Sequence, residues 1–121
     1  MEIKELTRAE LEIMQILWQI ERGYVNNILE IMPDPKPAYN TVSTIVRILE
    51  KKGFVAHKSF GKSHEYYPIV DRQSYTKGFM NNVLDNFFGG SVGNMVSFLS
   101  REKSISLSEA DEIIKMLKGD K

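Results

Sequence analysis

The sequence of 121 residues contains no cysteine and only two histidines, His57 and His64. The absence of cysteine excludes disulfides, thiolate metal sites and cysteine nucleophiles. A tight metal site usually needs three or more ligands, and two imidazoles do not supply them. We therefore expect no metal and no other cofactor.

The sequence also lacks a motif that would gather titratable groups into a catalytic pocket. General acid–base chemistry needs such groups to be held together. Three acidic residues of the N-terminal segment, Glu10, Glu12 and Glu21, fall at positions that we expect to be solvated on a helix. An enzyme is therefore not expected.

Long apolar runs are absent as well. No run approaches the roughly 20 residues that a membrane-spanning helix needs, and the start, MEIKELTRAE, lacks the basic residues and apolar core of a signal peptide. We expect a cytoplasmic protein without direct membrane insertion. The hydrophobic content of 42% predicts a globular chain that can form one ordinary core or two small ones.

The net charge is zero, which at first argues against a nucleic-acid partner, because affinity for phosphates comes from Lys and Arg. The charges are unevenly distributed, however. Residues 1–35 carry three basic and seven acidic side chains, whereas residues 36–64 carry six basic side chains and a single acidic one, Glu50. Such a local excess of positive charge is typical of a surface that binds nucleic acid.

The segment from Tyr39 to Lys52 lies in this basic region and has the pattern of an amphipathic helix. One side is apolar, with Ala38, Val42, Ile45, Val46 and Leu49. The other side is polar, with Asn40, Ser43, Thr44, Arg47 and Lys51. Short donors in the first turns followed by long cations suit a helix whose N-terminal end enters a DNA major groove. The alternative is the solvated face of an ordinary helix.

Two shorter helices are predicted before this segment. Thr7 and Glu10 form the pattern of a capping box, with Leu6 packed on Leu11, so a first helix should start there and end before Gly23. A second helix is predicted over Val25–Met32. Prolines 33, 35 and 37 stop it, and Gly53 should close the third helix in a left-handed conformation.

A β-hairpin is predicted directly after the third helix. The runs Phe54–Phe60 and His64–Val70 are rich in strand-forming residues, and a spacer of Gly61, Lys62 and Ser63 separates them. Three helices followed by a basic hairpin is the layout of a winged helix-turn-helix, so we predict a DNA-binding domain over residues 1–70. Its wing carries Lys58 and Lys62, and we expect the two histidines to be exposed on it near phosphates.

Residues 71–121 are predicted to form three more helices. The first is capped by Asp71 or Ser74 and runs to about Phe88, Gly89 and Gly90 break it, and Ser91 and the pair Ser106 and Glu109 cap the next two. Three short helices seldom bury enough apolar surface alone. We expect this region to be a dimerisation domain of a homodimer; the alternative is a monomer in which it folds back on the N-terminal domain. The predicted dimer contacts are Tyr75, Phe79, Val83, Phe87, Val92, Val96, Leu99, Ile113, Ile114 and Leu117.

With these segments placed, the chain resembles the penicillinase repressor (BlaI/MecI) family over nearly its whole length. The resemblance is carried by residues 6–10, 16–18, 39–44, 49–55 and 87–91. It implies a mainly α fold with a small β-hairpin, in which a winged helix-turn-helix domain precedes a three-helix dimerisation domain. It also implies a dimer that binds a dyad-symmetric, double-stranded DNA operator and blocks transcription of resistance or stress genes.

The resemblance has two departures. Copper-responsive relatives carry a cysteine cluster near the C-terminus, which this chain lacks, so a copper sensor is disfavoured. In the antibiotic-responsive branch, a membrane sensor that detects β-lactam leads to cleavage of an Asn-Phe bond in the helix after the Gly-Gly break. Here the corresponding residues are Ser97 and Phe98, which mark a possible cleavage region for such a sensor protease.

The function expected from these features is that of a dimeric transcriptional repressor. We expect Asn40, Thr41, Ser43, Thr44 and Arg47 to contact the operator and the lysines, including Lys52, to supply mostly non-specific affinity. The alternative is a winged helix that binds a protein through Phe60, Tyr66 and Tyr67. The complete predicted DNA-binding set is Tyr39, Asn40, Thr41, Ser43, Thr44, Arg47, Lys51, Lys58 and Lys62.

Overall fold

The computed structural model describes residues 5–102 and 106–117, without the side chains of residues 116 and 117. These residues form two compact units, one ending at Ser74 and the other beginning at Tyr75. The elements in chain order are α1 (Arg8–Ile20), α2 (Val25–Ile31), α3 (Tyr39–Lys51), β1 (Val55–Phe60), β2 (Ser63–Pro68), α4 (Arg72–Phe87), α5 (Val92–Arg101) and α6 (Leu107–Leu117).

Helix α1 begins at the predicted capping box. The Thr7 hydroxyl oxygen accepts from the Glu10 backbone N–H at 3.2 Å, and the Glu10 carboxylate accepts from the Thr7 N–H at 3.0 Å. Two backbone donors that a helix start leaves unpaired are thus satisfied. The predicted start of the helix is confirmed, and so is its end, because α1 stops at Ile20, before Gly23.

The core of the N-terminal unit lies between α1, α2, α3 and the base of the hairpin. The apolar stripe of α1 points into it, and α3 contributes three fully buried side chains at helical spacing. At about 25 cal/mol per Å² of apolar surface, burial of this kind is the main term that stabilises the unit. The largest fully buried side chains are Ile13, Met14, Leu17, Ile28, Leu49, Val42, Val46 and Val55.

Glu10 corrects one expectation, because it is buried rather than solvated, with 5% of its surface exposed. Its carboxylate lies 2.7 Å from the ammonium group of Lys52, just beyond the end of α3. Burial alone would raise the pKa of the Glu10 carboxyl, but the Lys52 hydrogen bond and charge, together with the Thr7 N–H, outweigh it and leave the pKa below its usual value. Lys52 therefore has an internal partner, contrary to the expectation that it serves phosphates.

Strands β1 and β2 form the predicted hairpin, paired antiparallel from Val55 opposite Pro68 to Phe60 opposite Ser63. The turn is shorter than predicted, because Ser63 already belongs to β2 and only Gly61 and Lys62 connect the strands. Gly61 has a φ of 64°, as the first position of a type II′ turn requires.

A bridge at Gly23 ties the hairpin to the connection between α1 and α2. The Gly23 N–H donates to the Tyr66 carbonyl at 2.9 Å, and the Tyr66 N–H donates to the Gly23 carbonyl at 2.8 Å. A Cβ atom at position 23 would lie 2.8 Å from Cδ1 of Ile20 and 3.2 Å from Cβ of Asn27. A larger residue at position 23 would therefore have to displace the end of the Ile20 side chain and press on Asn27.

The C-terminal unit is built from α4, α5 and α6 with the predicted helix starts. The Asp71 carboxylate accepts from the Ser74 N–H at 2.7 Å, and the hydroxyl oxygens of Ser91 and Ser106 cap α5 and α6. The hydrogen bonds from Ser74 hold the pKa of the exposed Asp71 carboxyl below its usual value. Few side chains of this unit are buried, namely Tyr75, Leu84, Met95 and Ala110 among the described residues.

Candidate nucleic-acid interface

Helix α3 presents the predicted polar face to solvent. Its buried side is formed by Val42, Val46 and Leu49, and Ile45 is half-buried. The prediction that Ala38 belongs to this apolar side is wrong, because Ala38 is the exposed N-cap residue outside the helix. The opposite side is exposed at Asn40, Thr41, Thr44, Arg47 and Lys51, while Ser43 is half-buried.

Four cations of this region are available for an external anion. In the described part of the chain, no carboxylate lies within 4 Å of the charged groups of Arg47, Lys51, Lys58 and Lys62. Arg47 makes one long contact, from Nη2 to the Thr44 hydroxyl oxygen at 3.5 Å. Arg47 and Thr44, one turn apart, thus form a joined pair of donors on the exposed face.

Lys36, also counted in the basic segment, has a different role. Its ammonium group donates to the carbonyls of Leu29, Glu30 and Met32 at 2.9, 3.2 and 2.6 Å. These carbonyls belong to the C-terminal end of α2, where a cation is favoured by the unpaired acceptors and the helix dipole. Lys36 therefore stabilises the C-terminal end of α2, and its positive charge is less available to bind an external anion.

A cleft of about 390 Å³ lies between the start of α2, the start of α3 and the tip of the hairpin. The structure brings three predicted DNA-binding residues together there: Tyr39, Ser43 and Lys62. Phe60 and Tyr24 meet edge to face across it, with ring centroids 6.5 Å apart. The full lining is Tyr24, Val25, Asn26, Asn27, Tyr39, Ser43, Phe60, Lys62, Ser63, His64 and Tyr66.

Lys58 is not brought to this cleft. Successive side chains of a strand point to opposite faces, and His57 and Tyr66 are paired on the face that meets α3. Lys58, paired with Glu65, lies on the outer face of the hairpin. Its predicted contact with DNA stays a prediction and would have to be made from that outer side.

The histidines differ from the expectation that both are exposed near phosphates. His64 is exposed, but His57 is half-buried, and its Nδ1 lies 2.7 Å from a carboxylate oxygen of Glu50. The two imidazole centroids are 4.3 Å apart. Beside them, burial and then the Glu50 carboxylate raise the pKa of the Tyr66 hydroxyl.

The aromatic residues of the alternative hypothesis, a protein-binding surface, are mostly buried or half-buried. Tyr66 is buried and Tyr67 is half-buried, whereas Phe60 is 53% exposed. One exposed ring at the tip of a hairpin is a small surface for a protein partner, because the core of such an interface is usually a cluster of buried anchors.

Two features of the site were missed in the sequence. Tyr24 and the asparagines of α2 line the cleft because the Gly23 bridge holds the connection between α1 and α2 against β2. No local sequence pattern predicts this pairing. Ile48 lies four residues after Thr44 on the exposed face, where 40% of it is exposed. The sequence did carry a signal for Ile48. A turn of 100° per residue places Ile48 on the same side of the helix as Thr44 and Lys51.

No described helix is long and apolar enough to cross a membrane. Within the same residues, no group of three or more His, Asp or Glu side chains is arranged to hold a metal ion.

The sequence was compared with known protein families. Residues 6–119 match the family described as penicillinase repressor. The chain belongs to the penicillinase repressor family. The resemblance seen in the sequence is thereby confirmed over nearly the whole chain.

Two members of the family are similar to this chain over nearly their whole length. The methicillin resistance regulatory protein MecI of Staphylococcus aureus (strain N315) is 27% identical over 114 residues, which cover 93% of each chain. The penicillinase repressor of Bacillus licheniformis is 26% identical over 120 residues, covering 98% of this chain and 94% of that protein.

A solved structure in the family shows the fold of the N-terminal part. The solution structure of the DNA-binding domain of the repressor BlaI superimposes with a TM-score of 0.53 and 27% sequence identity. It covers 62% of this chain and 94% of that domain. The predicted winged helix-turn-helix is confirmed by this match and by the order of three helices and a hairpin.

Proposed function

We propose that the protein is a dimeric transcriptional repressor that binds a dyad-symmetric DNA operator. The observation that carries the proposal is the exposed face of α3, where uncharged donors and cations without a carboxylate partner in the described chain lie together. This face stands beside the cleft that Lys62 lines, in a chain whose relatives include a methicillin resistance regulatory protein and a penicillinase repressor. Resistance or stress genes are the proposed targets.

Base reading is assigned to the first turns of α3. Asn40, Thr41 and Thr44 are short, exposed side chains at the N-terminal end of the helix, the end that enters the major groove in helix-turn-helix proteins. Asn pairs with adenine through two hydrogen bonds, and Thr donates, accepts or meets a thymine methyl. Arg47 extends this reading or anchors to a flanking phosphate, and Lys51 adds charge at the far end.

Backbone binding is assigned to the cleft between α3 and the hairpin tip. Lys62 supplies the charge there, Tyr39 and Ser43 supply hydroxyl groups, and His64 stands at the edge. Contacts of this kind neutralise phosphates and fix the register of the protein on DNA without reading sequence.

Dimerisation is assigned to the apolar surface of the C-terminal unit. Phe79, Phe87 and Phe98 are exposed, and the last two line an apolar groove of about 560 Å³ with Met80, Val83, Phe88, Met95 and Leu99. Exposed apolar patches on a soluble protein mark interaction sites. A second copy that covers this surface would place two reading helices on two half-sites.

The predicted dimer contacts differ in how far they reach the surface. Tyr75 is buried and stacks on Phe79 with centroids 6.2 Å apart, so its role is to support the surface. Val83, Val92, Val96, Leu99, Ile113 and Ile114 are half-buried. The side chain of Leu117 lies outside the described residues.

Release by proteolysis is assigned to α5. Ser97 and Phe98 are exposed in the middle of α5. Their peptide bond is part of a hydrogen-bonded helix, so cleavage by a sensor protease would first require local unfolding of α5. The exposed Phe98 ring belongs to the same apolar groove, so cutting there would also damage the dimer surface.

Binding is tested with duplex DNA from the region upstream of the gene, in gel-shift titrations at several salt concentrations. Arg47→Ala should lower affinity and relax sequence preference by about 1–3 kcal/mol. Lys62→Ala should weaken all sequences alike and reduce the slope of log affinity against log salt by about one. Lys77→Ala, which removes an exposed cation from α4, is the matched control. Unchanged binding by both interface variants would contradict the proposal.

A further inference from the structure

One hydrogen-bonded pair joins the reading helix directly to the wing. Glu50 lies in the last turn of α3, and His57 is the third residue of β1. Nδ1 of His57 and Oε2 of Glu50 are 2.7 Å apart, and both side chains are half-buried. A contact this short is typical of a charge-assisted hydrogen bond when the imidazole is protonated.

The pair acts at a different place from the other attachments of the hairpin. Gly23 holds β2 at Tyr66, the Phe54 carbonyl accepts from the Ile69 N–H at 2.8 Å, and the Trp18 indole donates to the Val70 carbonyl at 2.9 Å. These bonds fix β2 and the base. His57 lies on the other strand, three residues before the tip residue Phe60, and reaches α3 itself. The pair therefore helps to fix the distance between the exposed polar face of α3 and the cleft that Lys62 lines.

The groups that surround His57 can be named from each neighbouring element. From α3 it meets Glu50, with Arg47 and Tyr39 near the Tyr66 hydroxyl. From β2 it meets His64, whose Nδ1 lies 3.2 Å from the Ser59 hydroxyl, and Tyr66 at 5.5 Å between ring centroids. Lys58 and Glu65 lie on the outer face of the hairpin. One carboxylate and one second imidazole are thus the closest titratable partners.

We infer that Glu50 and His57 are positioning residues for operator binding, and that the strength of this pair makes the binding depend on pH. The inference rests on the proposed function. Histidine gains its charge as pH falls from about 8 to about 5. A protonated imidazole makes the pair an ion pair that holds β1 against α3. A neutral imidazole weakens the pair and leaves the Glu50 charge uncompensated near Tyr66, which lines the cleft. Operator affinity therefore falls as pH rises.

The test measures the affinity of the full-length protein for duplex DNA from upstream of its gene between pH 6 and pH 8, at constant ionic strength. His64→Asn is used as the background, because it removes the second imidazole. Affinity in this background should fall about twofold to fivefold over the range, as expected for a partly exposed ion pair. Glu50→Gln should flatten the profile while the protein stays folded by circular dichroism.

The slope of the profile is the readout, because removing the Glu50 charge also changes the overall level of affinity. Glu65→Gln is the matched control: it removes one carboxylate from the same hairpin, but on the outer face, and should leave the slope unchanged. His57→Gln should flatten the profile as Glu50→Gln does. The double variant should show no further change, since the two residues act as a unit.

The possible failures are distinct. If Glu50→Gln keeps the slope of the background, the histidine charge acts on DNA directly and the positioning role is overturned, while operator binding stands. A slope lost equally in Glu65→Gln, or absent in the background protein, overturns it as well. If the wild-type protein does not bind the upstream duplex at all, the proposed function fails and this inference falls with it.

Discussion

The two units of the chain treat their apolar side chains in opposite ways. The N-terminal unit encloses large side chains completely, among them Ile13, Leu17 and Leu49. The C-terminal unit leaves Phe87 76% exposed and Phe98 43% exposed. The first unit therefore completes its core within one chain, whereas the second has apolar surface still to be covered.

The exposed surfaces of the two units also differ in polarity. The outer face of α3 is polar and cationic, as suits a hydrated phosphate backbone, while the surface of α4 and α5 around the groove is apolar. In the proposed repressor, one unit meets DNA and the other meets its own copy. The difference can be tested in four ways, from the largest expected effect to the smallest.

Truncating the enclosed core should have the largest effect. Leu17→Ala removes a fully buried side chain and should lower the free energy of unfolding by about 3 kcal/mol, measured by urea denaturation. The loss should not depend on protein concentration, because this core lies within one chain. Leu107→Ala is the control, since Leu107 is 85% exposed and its truncation should change stability little. Equal losses for both variants would remove the contrast between the units.

A charge in the apolar groove should separate the copies without unfolding the chain. Phe87→Glu should yield monomers in sedimentation and lower operator affinity on the order of a hundredfold, through loss of the second half-site. Asn82→Glu places the same charge on an exposed position of α4 and should leave the dimer intact. A Phe87→Glu protein that still sediments as a dimer would show that the partner surface lies elsewhere.

The buried Glu10–Lys52 pair should contribute less than the core, and only above acidic pH. Glu10→Gln keeps the capping pattern but loses the charge, and should lower the free energy of unfolding by about 1.5 kcal/mol at pH 7. Because the pKa of Glu10 is lowered in the folded state, its stabilisation is present above the unfolded value of about 4.3 and is lost as pH falls through the folded pKa. Wild type and variant should therefore converge below that pH in thermal unfolding. Glu12→Gln, exposed on the same helix, should show no such convergence.

The smallest effect is expected at the end of α2. Lys36→Ala removes the ammonium group that binds three carbonyls there, and should lower the free energy of unfolding by about 0.5 kcal/mol. Lys77→Ala removes an exposed lysine from the other unit and should be neutral by the same denaturant measurement. A larger effect of Lys36→Ala on operator affinity than on stability would mean that its charge serves DNA after all.

Helix starts and ends were predictable from sequence because they depend on neighbours in the chain. Thr7 with Glu10, Ser106 with Glu109, and Gly53 at the end of α3 all form within a few residues. The polar face of α3 was predictable for the same reason, as helical spacing alone decides which side chains share a side. Ala38 shows the limit at an element boundary, where one residue decides between the face and the cap.

Partners distant in sequence were not predictable. Glu10 meets Lys52 across 42 positions, and Gly23 pairs with Tyr66 because of how α1 packs on β2. A capping glutamate normally points to solvent, so its pattern carries no sign of a buried lysine. The cleft has the same origin: Tyr24, Tyr39 and Lys62 come from three elements, and the packing of the core alone brings them together.

The backbone bridge at Gly23 also sets which charges the hairpin turns towards α3. Shifting β2 against Gly23 by one residue would exchange the two faces of the hairpin, sending His57 and His64 outward and Lys58 and Glu65 inward. An uncharged residue without a side chain thereby governs which charged groups the inner surface of the wing carries.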